Sequence, residues 1–161
     1  MAKKRKPLAV VENRIEVAAS PEVLWTCFAD LKKWLHWFPA LVEAEWVMGT
    51  PWTMGARLRQ TVEFGFPLGN VTGVATIVEI SPSPYVAWEG SVAGVEAIHG
   101  FRFEATDVGT EVLSRHEFYN PLALFARLLR LTRRVHKIYQ AALKGLKAYV
   151  EVGTVQLKMQ M

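Results

Sequence analysis

Between Val42 and Tyr119 the chain runs as short stretches of strand-forming residues, broken by Gly- and Pro-containing turns at 49–55, 65–69, 81–84, 93–94 and 106–109. The result is six stretches of about seven to ten residues, the pattern of an antiparallel meander. After Asn120-Pro121 the apolar period lengthens to that of a helix, with Leu124, Phe125, Leu128, Thr132, Val135, Tyr139, Ala142, Leu146 and Tyr149 on one stripe. Arg127, Arg130, Arg133, Arg134, Lys137, Lys144 and Lys147 take the other face. The spacing predicts one amphipathic helix over 121–150, about 45 Å long, with Gly145 as a place where it could kink. A sheet with one face to cover, and one long apolar stripe to cover it, should curl around that helix.

Upstream of the meander, Val11, Asn13, Ile15 and Val17 alternate with Glu12, Arg14 and Glu16, which predicts a half-buried strand. Ser20-Pro21-Glu22 then offers an N-cap, a proline at the first helical position and an acid in the first turn. A short helix with Val23, Leu24, Cys27 and Phe28 at helical spacing follows. Asp30 is placed to cap a second short helix through Trp34 and Leu35, which Pro39 should end. The expected fold is therefore α+β. A curved seven-stranded antiparallel sheet grips a long C-terminal helix, with two short helices after the first strand.

At 161 residues the chain fits one domain with a core of its own. We expect a basic tail over 1–7, the domain over 8–152 and a C-terminal tail over 153–161. Cys27 is the single cysteine, so no internal disulfide or multi-cysteine zinc site can form, and a reducing, cytoplasmic setting is expected. Lys3-Lys4-Arg5-Lys6 precedes only Leu8-Ala9-Val10-Val11 before Glu12 interrupts, too short an apolar run for a signal peptide. The net charge of +4 comes largely from that tail and from one helix face. This is read as a solvated surface, with no nucleic-acid partner expected.

Several local signatures are similar to those of the START-like superfamily, and within it to the polyketide cyclase/dehydrase and lipid-transport group related to the birch-pollen-allergen fold. They are Ala19-Ser20-Pro21-Glu22-Val23-Leu24-Trp25, Asp30 with Trp34 and Trp37-Phe38-Pro39, Gly55-Ala56-Arg57, Trp88-Glu89-Gly90 and Gly109-Thr110-Glu111-Val112. The resemblance implies a helix-grip fold that encloses a mostly apolar cavity. It implies no catalytic residue, because the group includes cyclases, lipid carriers, hormone receptors and co-chaperones, and a fold does not transfer chemistry.

The less charged face of each strand gives the expected cavity lining: Val42, Ala44, Trp46 and Met48; Leu58, Gln60, Val62 and Phe64; Val86, Trp88 and Val92; Val95, Ala97, His99, Phe101 and Phe103; Val112, Ser114, His116 and Phe118. The strand after Gly69 is ambiguous. Candidate ligand-binding residues are Asn13, Gln60, Trp88, His99, Phe101, Phe103, Ser114, His116 and Phe118. Neutral polar groups in an aromatic wall can orient a ligand, or can simply satisfy one another. The expected cavity measures several hundred cubic ångströms, on the order of small-molecule sites generally.

If Thr106-Asp107-Val108-Gly109 form the last hairpin loop, His99 faces His116; a two-residue shift would oppose His99 to Phe118. Facing histidines can act as general acid and base, so they are the candidate catalytic pair, but they lack the carboxylate a metal would need. Neither a metal nor a cofactor is expected. Phe66 and Leu68, at a hairpin tip, can form a lid or touch a membrane transiently. The leading expectation is binding or transport of a small hydrophobic or aromatic molecule. The alternatives are a cyclase or dehydratase using a buried His, or a co-chaperone-like interaction module, in each case as monomer or homodimer.

Overall fold

The computed structural model describes residues 5–81, 84–92, 94–119 and 125–161. Alternation in the first strand produces β1 (Ala9–Val17), with Val11, Asn13 and Val17 buried and the intervening charges exposed. Ser20 caps α1 (Pro21–Ala29) by accepting a bond from Val23 N at 3.3 Å, and Asp30 caps α2 (Leu31–Trp37) through Lys32 N at 3.1 Å. Six strands follow: β2 (Leu41–Met48), β3 (Arg57–Glu63), β4 (Asn70–Ser81), β5 (Tyr85–Val92), β6 (Val95–Thr106) and β7 (Gly109–Tyr119). With β1 they form one seven-stranded antiparallel sheet of order β1-β7-β6-β5-β4-β3-β2. The last element is α3 (Phe125–Gln160), whose Leu131, Val135, Tyr139, Ala142, Leu143, Leu146 and Val150 are buried. The curved sheet wrapped around this helix is the expected α+β helix-grip architecture.

Two bulges correct the inward face of β2. Leu41 pairs with Val62 but Glu43 with Thr61, and Trp46 pairs with Leu58 but Met48 with Arg57, so Val42 and Val47 are each an extra residue. Each insertion reverses the alternation. Leu41 is therefore buried, Ala44 and Trp46 pack on the core, and Val42 and Met48, expected inside, are 48% and 54% exposed. The strand that could not be read, β4, turns Ala75 and Ile77 inward.

The long helix also departs from its expected form. It continues through Gly145, where an added Cβ would lie 2.0 Å from the Trp37 carbonyl oxygen, so the glycine serves close packing of α3 on α2. It also runs on to Gln160, so residues 153–160, expected as a tail, are helical. No proline follows to stop the helix, and Lys147 and Glu151 pair one turn apart at 2.7 Å. Tyr149 is on the surface, stacked on His36 with ring centroids 5.9 Å apart, while Leu131, Leu143 and Val150 take the buried positions. The expected helix start at 121–124, including Leu124, lies outside the described residues, as do Lys3 and Lys4 of the tail and the side chains of Val92, Phe125, Arg127 and Leu128. Arg5 pairs with Glu96 at 3.1 Å.

Candidate functional site

The α1–α2 end of the grip is filled with rings. Phe28 lies within 4.8 to 6.1 Å, centroid to centroid, of Trp34, Trp37, Trp52, Phe101 and Phe103. Trp34 Nε1 donates to the Phe28 carbonyl at 2.6 Å and Trp52 Nε1 to that of Ala29 at 2.8 Å, so these indoles are fixed as well as packed. Phe101, Phe103 and Phe118 are all 3% exposed or less. They serve as packed core here, which corrects their expected place in the wall of a large cavity.

Space remains farther along the sheet. One small cavity of about 50 Å³ lies among Gln60, Trp88, His99, His116 and Tyr139 beside the Gly73 backbone. A second, of about 40 Å³, is walled by Val62, Phe64, Val71 and Val135 and shares Gln60, Gly73, Ser91, His116 and Tyr139 with the first. Together they are far smaller than the several hundred cubic ångströms expected, because rings from α1, α2 and the 49–55 loop occupy the rest. Each is large enough for a water molecule. The first cavity also shares Val74, Gly90, Ser91 and Ala97 with an open trough of about 740 Å³ on the outer sheet face. There the β4–β5 pairing stops at Thr76 and Glu89, although β5 still pairs with β6 as far as Val92.

The histidines face each other across β6 and β7, in the register that makes Asp107-Val108 the hairpin turn. Their rings stack with centroids 3.5 Å apart and 24° between planes. Tyr139 of α3 lies 4.6 Å from His99 and 4.3 Å from His116, and Trp88 meets His99 edge-on at 4.9 Å. His99 Nε2 shares a 2.9 Å hydrogen bond with Ser114 Oγ, whereas His116 Nδ1 and Gln60 Oε1 are buried without a partner. Asn13 Nδ2, on the neighbouring strand, is likewise buried and unpartnered.

Burial holds the His116 imidazole down at about 3. The His99 ring is held well below its ordinary value first by burial and then by the neighbouring His116. Both rings are thus neutral at pH 7, and burial raises the Tyr139 phenol so that it stays protonated. The site offers hydrogen bonds and no charge. Among the described residues no three His, Cys, Asp or Glu side chains converge as metal ligands.

Of the residues expected to bind a ligand, Gln60, Trp88, His99 and His116 line the cavities, and Ser114 supports His99. Asn13 is buried but does not line either cavity, and Phe101, Phe103 and Phe118 pack around the site. Phe66 is 91% and Leu68 42% exposed, and neither lines either cavity. Between them and the site, Arg134 of α3 donates to the carbonyls of Phe64 and Phe66 and ties the hairpin tip to the helix. Tyr139 is the residue sequence reasoning missed as part of the site. Its signal was a hydroxyl-bearing ring on the buried stripe of the helix.

A family model described as polyketide cyclase / dehydrase and lipid transport matches residues 9–151. Among solved structures, a protein from Thermus thermophilus superposes with a TM-score of 0.73 at 16% identity, over 90% of this chain and 99% of that one. The Zhui aromatase/cyclase from Streptomyces sp. R1128 gives 0.74 at 19% identity, over 89% and 93%. The di-domain ARO/CYC BexL gives 0.71 at 19%, over 91% of this chain and 48% of its own. At such identities the likeness is one of fold. No curated protein matches the sequence. Among the described residues no helix is long and apolar enough to cross a membrane.

Proposed function

Because the chain belongs to the polyketide cyclase / dehydrase and lipid transport family, we propose that it binds a small hydrophobic or aromatic molecule between α3 and the inner face of the sheet. The observation that carries this reading is the pair of buried, unpartnered polar atoms, His116 Nδ1 and Gln60 Oε1, on the walls of the same two adjoining cavities. Buried polar groups in native proteins nearly always have partners, and these two face one space where a polar group of a ligand could bond them, whereas the other unpartnered buried atoms among the described residues, Asn13 Nδ2 and Trp37 Nε1, line neither cavity. Apolar walls supply affinity and the two atoms supply direction. The cavities adjoin, sharing Gln60, Gly73, Ser91, His116 and Tyr139 in their walls.

Binding is favoured over proton-transfer chemistry by the electrostatics. An imidazole titrating near 3 is almost never protonated at pH 7 and is a feeble base, whereas an efficient acid or base titrates near the working pH. Native mass spectrometry of protein purified from its own host should reveal a copurified small molecule at one per chain. An environment-sensitive apolar dye should bind one to one to the parent and at least tenfold more weakly to Val135→Trp, whose added volume would occupy the second cavity. Equal dye binding by parent and variant, with no copurified molecule, would refute the reading.

A further inference from the structure

We infer that the occupant is an uncharged molecule carrying a hydroxyl group, an alcohol or a phenol, whose single oxygen bonds both Gln60 and His116. The inference rests on the binding role above and narrows the chemistry of what is bound. Three features of the walls lead to it.

The first is the character of the two orphan atoms. Gln60 Oε1 is a carbonyl oxygen and can only accept, so its partner must donate. His116 Nδ1 belongs to a neutral ring and can donate or accept according to its tautomer. A hydroxyl has one O–H and two lone pairs, so it can donate to Gln60 Oε1 while accepting from His116 Nδ1–H. A ketone, ester or ether only accepts and would leave Gln60 Oε1 buried and unpaired. Water has the same dual capacity and suits a space of about 50 Å³, so a ligand hydroxyl would replace a water in kind.

The second feature is the absence of compensating charge. Among the described residues, no Lys, Arg, Asp or Glu lines either cavity. A buried carboxylate or ammonium needs a paired charge or several well-placed bonds, and here an anionic head would also meet the acceptor oxygen of Gln60. The third is the aromatic character of the surroundings. Trp88 and Tyr139 line the first cavity, which at about 50 Å³ seats the hydroxyl alone, so a flat ring attached to that oxygen would have to part these side chains and would then find aromatic partners on both sides.

Three para-fluorinated probes on one ring separate the possibilities: 4-fluorophenol, 4-fluoroanisole and 4-fluorobenzoate, titrated at pH 7 and read by fluorine NMR line shift and broadening, with the Gln60→Leu variant below separating lost hydrogen bonding from the added methyl of the anisole. The phenol should bind the parent protein at least tenfold more tightly than the anisole, which accepts but cannot donate. It should exceed the benzoate, which is charged, by more. Gln60→Leu should bring phenol and anisole to within about twofold of each other while still binding both. Equal affinity for phenol and anisole in the parent, or a preference for the benzoate, would overturn the inference and leave the binding role intact. No saturable shift from any probe would overturn both.

Discussion

Two histidines kept neutral inside the sheet make folding stability depend on pH in a calculable way. A histidine whose value is lowered by folding binds its proton more readily when unfolded, so acid favours the unfolded chain. The contribution is complete above the ordinary value of about 6.5 and is lost as the pH falls through the window down to about 3 for His116. At pH 5 the unfolded imidazole is almost fully protonated and the folded one is not, a gap of about 1.5 pH units at about 1.36 kcal/mol each, or about 2 kcal/mol. His99 is shifted in the same direction, first by burial and then by His116, and adds to that loss, which is drawn from the roughly 5 to 15 kcal/mol that holds a domain together. Urea unfolding of the parent and of His116→Gln from pH 7.5 to 5 isolates the single-residue part, since surface carboxylates contribute equally to both. The parent should lose about 2 kcal/mol more than the variant over that interval. Parallel curves would mean that His116 is not held neutral, and the site's electrostatics would have to be rebuilt.

At Gly145 an alanine is the better helix former by about 1 kcal/mol, yet its Cβ would lie 2.0 Å from the Trp37 carbonyl oxygen. Gly145→Ala should therefore lower the urea midpoint by an equivalent of about 1 to 3 kcal/mol, and a raised midpoint would refute the close approach of α2 and α3. Ser114→Ala leaves His99 Nε2 buried without its 2.9 Å partner and should cost about 1 to 3 kcal/mol in the same assay; a neutral result would remove Ser114 from the site's support.

How much of this was legible in the sequence depended on whether a local period survived to the tertiary level. On β1, β6 and β7 no bulge intervenes, so alternation alone placed Asn13, His99, Ser114 and His116 inside and opposed the histidines. On β2 two bulges reset the phase, and the same rule put Val42 and Met48 on the wrong face. The helix stripe was right at Val135, Tyr139, Ala142 and Leu146 but drifted at Tyr149, because its centre was drawn about one residue away from the line through Leu131, Leu143 and Val150. Cavity volume was not legible at all. It depends on how rings from three separate segments tilt against one another, and no spacing rule reports that Phe28, Trp34, Trp37 and Trp52 converge on the same end of the grip.

The two ends of the grip have opposite energetic characters, and each accounts for the other. The ring-filled end buries large apolar side chains, with the Trp34 and Trp52 indoles hydrogen-bonded and only Trp37 Nε1 unpartnered among the described residues there, which contributes stability and stiffness. The His116–Gln60 end carries two buried atoms without partners, each worth about 1 to 3 kcal/mol of instability when left unfilled. Leucine or phenylalanine of similar volume at either position would remove that cost, so pure stability argues against the residues found there. The proposed binding role would account for them, because an occupant that satisfies both atoms would recover the deficit and add its own binding energy to the folded state by mass action. The aromatic end is then what allows the polar end to stand ready: it holds Trp88, Phe101 and the sheet around His99 in place while the space beside them remains open.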